Sequence, residues 1–166
     1  MDVSPTEHGV HYIRWMENIV PPPTYVKGAG FADDVLVDRW QEFEYIAPST
    51  VVQWTGALEA GRGAKQNREQ DGGFNLRLYH GVTPRTESSC YYFWSPLNGY
   101  RPQDDEATRM LHKEIALTFD EDVEFLESQH ACLAASIDRP LVNIKHDRAR
   151  VHANRAIERM IRAETA

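Results

Sequence analysis

From Asp104 to Ala135 the chain contains neither proline nor glycine. Apolar residues there recur with the period of a helix. Nearly everything before this stretch alternates or runs apolar in short bursts broken by turn residues, as strands do. A set of strands completed before one long helix begins cannot supply the alternating crossovers of a parallel sheet. It predicts an α+β domain with an antiparallel sheet and its helices on one face. At 166 residues the chain is long enough for one sizeable core, and a single domain over 1–166 is expected.

The strands are read as follows. Residues 9–18 mix β-branched and aromatic residues with polar ones. Pro21, Pro22 and Pro23 then disfavour both ladder and helix, so residues 21–39, with Gly28, Gly30, Asp33, Asp34 and Asp38, read as a loop, either an ordered lid or a disordered stretch. Strand signals resume at Trp40–Ile46 and Ser49–Ala57. Residues 59–73 are polar and glycine-rich and should connect rather than pack. Their Gly61-Arg62-Gly63-Ala64-Lys65 run lacks the ending of a phosphate loop and suits a mobile hairpin tip. Phe74–Val82 alternates cleanly, with Phe74, Leu76, Leu78, His80 and Val82 on one face. Thr83-Pro84-Arg85-Thr86 turns the chain into a last strand, Ser88–Leu97. About five strands in a meander result. Pro140 marks the break before a second helix, Asp147–Glu164, whose Ala149, Ala153, Ala156, Ile157, Met160 and Ile161 share a face.

One residue conflicts with its surroundings. On a helical wheel Leu111, Ile115, Thr118, Phe119, Phe125, Leu126, Gln129 and Leu133 all fall within about 60° of Asp122. A carboxylate at the centre of a packing stripe costs several kcal/mol unless a cation, donors or water meet it. The helix can run past the sheet edge, an internal donor can satisfy Asp122, or the helix phase can shift; alternatively Asp122 is a metal ligand or another functional carboxylate. His112 and His130 lie about 15 and 12 Å away along the axis and cannot share a metal with it. His8 and His11 point to opposite faces of a strand, and His146 and His152 to different helix faces. Only His80 is placed to approach the same cavity, and a lone inward His is more often a hydrogen-bonded pocket residue than a ligand. No complete metal site is expected.

Other chemistry is narrowed by composition. A formal charge of −7 disfavours nucleic acid. No apolar run is long enough to span a membrane and MDVSPTEHGV is not a secretion signal. Cys90 and Cys132 are too few for a disulfide framework and suit a reducing cytoplasm as structural thiols. Tyr12, Trp15, Trp40, Trp54, Tyr91, Tyr92, Phe93 and Trp94 could line an aromatic cavity as well as fill a core. No nucleophile elbow or dinucleotide fingerprint appears.

Five segments follow one another in order: RWMENIVPPP, FADDVLVDRWQEF, APSTVV, HGVTPRTESSCYYFW and FDEDVEFLESQ. In this they resemble the C-terminal catalytic domain of Rieske non-heme iron aromatic oxygenases, of the vanillate O-demethylase kind, over residues 10–164. The resemblance implies a helix-grip (START/Bet v 1-like) fold, an antiparallel sheet wrapped around a long C-terminal helix with the substrate cavity between. It places an iron-ligand carboxylate on Asp122 and substrate-binding positions on Gln53 and His80. It implies Fe(II) as cofactor, a [2Fe–2S] cluster only in a Rieske domain not found here, and a small aromatic acid or ether as ligand. The partners it implies are a Rieske-containing fragment, a reductase and other copies in a homo-oligomer. The family's paired Cys/His motifs and two iron-binding His have no counterpart in these residues, so the chain would be an incomplete oxygenase, or alternatively a stand-alone, non-catalytic module that binds a small aromatic or hydrophobic ligand.

Overall fold

The computed structural model describes residues 1–32, 34–135 and 142–165. Asp33 and the break at Pro140 lie outside them. Six strands form one antiparallel meander in sequence order: β1 Asp2–Pro5, β2 Gly9–Ile19, β3 Val37–Ile46, β4 Thr50–Glu59, β5 Phe74–Thr86 and β6 Ser89–Asn98. Strand β1 was not legible; its four residues are too few to show a period, and only pairing with β2 defines it. β5 also runs past Pro84 to Thr86, so the turn falls after the Thr-Pro pair rather than on it. Pro84 faces Cys90 beside a shift in register, a bulge of the kind that tolerates a missing donor.

Helix α1 occupies Pro23–Ala29, where a loop was expected. Proline is excluded from helix interiors but suited to the first turn, whose N–H groups have no intrahelical partner. Here Pro23 opens the helix, and Gly30 closes it at φ 72°. Tyr25 anchors α1: its ring stacks on Phe74 at 4.0 Å and its hydroxyl lies 2.7 Å from Thr55 Oγ1, which donates to the Trp40 carbonyl.

Helix α2 spans Asp105–Ala134 and is capped by Asp104, whose carboxylate accepts from the backbone N–H of Glu106 and Ala107. Helix α3 spans Arg148–Glu164. One face of the sheet carries all three helices. α1 and the start of α2 cover Phe74, Leu76 and Ala57, and Leu111 completes that core. α3 lies against β1 and β2 through its alanines; Ala156 is buried, whereas Met160 and Ile161 of the expected apolar face remain largely exposed.

The outer face has its own small core. Trp40 is fully buried with Leu58 and Ala64, and Trp15 and Trp54 pack around them. Ala64 comes from the 59–73 connection, which therefore folds back and packs instead of forming a mobile tip. Polar residues hold it there. The Arg68 guanidinium lies 3.7 Å from the Trp54 ring centroid and bonds to Glu42, and Arg77 lies 3.4 Å from the same ring. The Trp40 ring has room beside β4 because its neighbour there is Gly56: a Cβ there would stand 2.3 Å from Trp40 Cζ2 and 2.4 Å from the Phe74 carbonyl oxygen.

Gly56→Ala should therefore crowd the Trp40 ring and the adjoining β5 backbone on the outer face and cost about 1–3 kcal/mol. A thermal melt followed by circular dichroism checks this; an unchanged midpoint would mean that the Trp40 ring moves aside freely.

Candidate functional site

The alternation of β5 carries its inner face from core to site. Phe74, Leu76 and Leu78 are buried in turn, and His80 follows on the same face, half-buried. Antiparallel pairing sets Val51 of β4 and Trp94 of β6 opposite His80, and sets Phe43 opposite Gln53. Directly opposed and diagonal residues on one face lie within side-chain reach. His80 thus meets a diagonal neighbour on each side: Nε2 lies 3.2 Å from Gln53 Oε1, and Nδ1 lies 2.5 Å from the Tyr92 hydroxyl. The two predicted substrate-binding residues, Gln53 and His80, are brought into contact. The sequence pattern marks Tyr92 only as one aromatic among many; its place two residues before Trp94 singles it out once the β5–β6 register is known.

Helix α2 lies over this group. The Phe119 ring is 5.7 Å from both His80 and Tyr92, and meets Trp94 edge-on at 5.2 Å. Burial lowers the His80 pKa below its ordinary value near 6.5, so the ring is neutral at physiological pH. Burial, and then the Asp122 charge, push the Tyr92 phenol up to about 12. Tyr92 is 39% exposed, and its hydroxyl meets His80 Nδ1.

Beside the cluster, between the inner sheet face and α3, runs a cleft of about 290 Å³ lined by Val10, Tyr12, Phe43, Tyr45, Val51 and Ala153, with Arg150 at its edge. Tyr12 and Phe43 stack at 5.3 Å along its floor. Because Val51 and Phe43 are the cross-strand partners of His80 and Gln53, the polar cluster borders an apolar, aromatic-floored slot. A second cleft, of about 250 Å³ between α3 and the β1–β2 turn, has exposed Glu7, His8 and Arg159 as its polar lining and lies apart from this group.

Asp122 stands differently from the burial derived from the helical wheel. Residues 120–134 are all exposed, including Asp122, Phe125 and Leu126. Lengths explain the outer part of this run, from about residue 127 on. α2 extends about 45 Å and β6 about 33 Å. Asn98 meets Thr108, and Tyr92 meets Phe119, so only three residues of β6 remain beyond that point against fifteen of the helix. The helix overshoots the sheet edge, and its stripe continues into solvent. Among the described residues no group of three or more His, Cys, Asp or Glu side chains is placed to hold a metal ion. His112 is turned onto Trp94 at 4.8 Å. One exposed carboxylate is not an iron site, and the donor set of these residues does not fit iron by itself.

Residues 1–163 match the family model of the vanillate O-demethylase oxygenase C-terminal domain. The chain belongs to this family. It is 38% identical over 156 residues to a vanillate O-demethylase oxygenase subunit of Pseudomonas sp., covering 92% of this chain and 47% of that one. It is 27% identical to the oxygenase component of dicamba O-demethylase from Stenotrophomonas maltophilia, covering 78% of this chain and 38% of the other. A crystal structure of dicamba monooxygenase bound to 3,6-dichlorosalicylic acid superposes with a TM-score of 0.80 at 24% identity, over 99% of this chain and 47% of that one, and shows the same fold. The domain is thus a Rieske oxygenase C-terminal domain of α+β, helix-grip architecture. It spans less than half the length of these relatives. No helix among the described residues is long and apolar enough to cross a membrane.

The lowered His80 pKa has a pH consequence with a definite sign. Holding the ring neutral means that the unfolded chain takes up the proton first, so this stability is present above the ordinary value near 6.5 and is lost as pH falls through it toward the lower folded value. Urea midpoints should decline across that window, and His80→Gln should flatten the decline; an equal slope in the variant would assign it to other groups.

Proposed function

We propose that this chain is the substrate-binding, C-terminal portion of an oxygenase that demethylates or hydroxylates a small aromatic acid or ether. The observation that carries this is the polar group His80–Gln53–Tyr92 set at the border of an apolar cleft with an aromatic floor. Such a site takes a flat ring into the slot and meets an oxygen substituent at its edge. Vanillate and dicamba, named for the relatives, are molecules of that kind. His80 and Gln53 orient the substituent, while Val51, Phe43 and Tyr12 exclude water from the ring.

Asp122 is the carboxylate this chain contributes to an iron centre whose other ligands lie outside the described residues. Oxygen activation belongs to that centre and to the electron carriers that serve it, a [2Fe–2S] domain and a reductase. The setting is the cytoplasm, where Cys90 and Cys132, both free, stay reduced. A homo-oligomer is part of the same reading. The second reading is a binding module without chemistry, and the exposure of Asp122 favours it. Both share the ligand and differ on iron.

Quenching of tryptophan fluorescence by vanillate measures the shared part. His80→Ala and Gln53→Ala should each weaken binding about tenfold; affinities equal to the parent's would remove the cluster from the site. The iron question is decided by mixing the chain anaerobically with a fragment carrying paired Cys/His motifs and titrating Fe(II). Binding and turnover, both lost in Asp122→Ala, are expected; their absence in the mixture leaves the binding module.

A further inference from the structure

We infer that Tyr92 is a positioning residue that fixes the tautomer of His80, donating its hydroxyl proton to Nδ1 so that the ring proton sits on Nε2 and faces Gln53 and the bound ligand. This deepens the ligand-binding reading above and rests on it for its consequence, though not for its geometry.

A neutral imidazole has one donor and one acceptor nitrogen, and which is which follows from their partners. On one side, 3.2 Å away, is the carbonyl oxygen of Gln53, which only accepts. With the Gln53 amide in this orientation, Nε2 carries the proton and Nδ1 presents a lone pair. On the other side, 2.5 Å away, is the Tyr92 hydroxyl, which can donate to that lone pair. The polar order that follows is that Tyr92 donates to His80, and His80 donates to Gln53. Packing keeps it so. The His80 and Tyr92 rings lie nearly parallel, 12° apart with centroids at 5.9 Å, and Phe119 presses on both. Gln53, His80 and Tyr92 stand on three adjacent strands of one register, so none can turn away without breaking its neighbour's bond.

The consequence concerns which substituents the site accepts. With Nε2 protonated, the cleft edge offers a donor, and a ligand carboxylate or ether oxygen can replace the Gln53 carbonyl as its acceptor. Without the Tyr92 hydroxyl, the ring is free to move its proton to Nδ1. Nε2 then offers a lone pair, which repels an oxygen acceptor and accepts from an amine.

The experiment compares the chain with Tyr92→Phe, which keeps the ring and removes only the hydroxyl. Nitrogen-15 spectra of the histidine rings, at a pH where His80 is neutral, should show His80 in the parent as a single form with Nε2 protonated. The variant should show a mixture. Affinities are measured with benzoate, an acceptor, and with aniline, a donor. Tyr92→Phe should weaken benzoate about fivefold to tenfold and leave aniline unchanged or tighter. A parent ring protonated at Nδ1, or an unchanged tautomer in Tyr92→Phe, overturns the assignment, as does equal weakening of both ligands, which marks a merely structural role. If neither ligand binds the parent chain, it is the ligand-binding reading that fails, and the ring spectra still decide the role of Tyr92.

Discussion

The inner face of β5 is the constraint on which the rest of the structure depends. Its alternation buries Phe74, Leu76 and Leu78, and Phe74 and Leu76 join Tyr25 and Leu111 in one core under α1 and α2. The side-chain period of a strand is two, so a slip of one residue would expose all three to solvent. The burial of these side chains, each worth about 1.5–3 kcal/mol, holds the register. The same register carries His80 to the inner face two residues later and aligns it with Gln53 on one side and Tyr92 on the other. The core and the candidate site are one strand's pattern, read from its buried end to its half-open one.

The second feature is a mismatch of lengths. α2 shares an apolar stripe along its whole run, but the sheet beneath it supports only the first half. Along the stripe Leu111 is buried and Ile115 and Phe119 are half-buried; beyond them Asp122, Phe125, Leu126 and Leu133 are exposed. A buried carboxylate is therefore not what ties this chain to oxygenases. Membership in the family rests instead on the match over residues 1–163 and on the shared fold. The relatives are about twice as long, and an unpartnered helix half of this kind is compatible with a domain that belongs to a larger chain.

Elements with a strong period were legible in the sequence: β2 to β6 and both long helices lie within a few residues of where alternation and spacing put them. Short or aperiodic segments were not. β1 is four residues of pairing. α1 begins at Pro23, and proline discourages a helix everywhere except at the position it occupies. The 59–73 connection looks like a surface loop by composition, yet it delivers Ala64 to the outer core and is clamped by Arg68 over Trp54. In each case the deciding partner is distant in sequence, and local pattern carries no trace of it.

What the sequence alone determined is which side chains share a face: His80 with Leu78 and Phe74, Asp122 with Phe119 and Leu126, because that depends only on the backbone period of each element. What the tertiary structure decided is whether those faces are covered and who meets whom across them. Helix and strand rise by different amounts per residue, so where α2 outruns β6 depends on their lengths and starting points together. That offset carried the end of α2 past the sheet, and the pairing of β5 with β6 brought Tyr92 to His80.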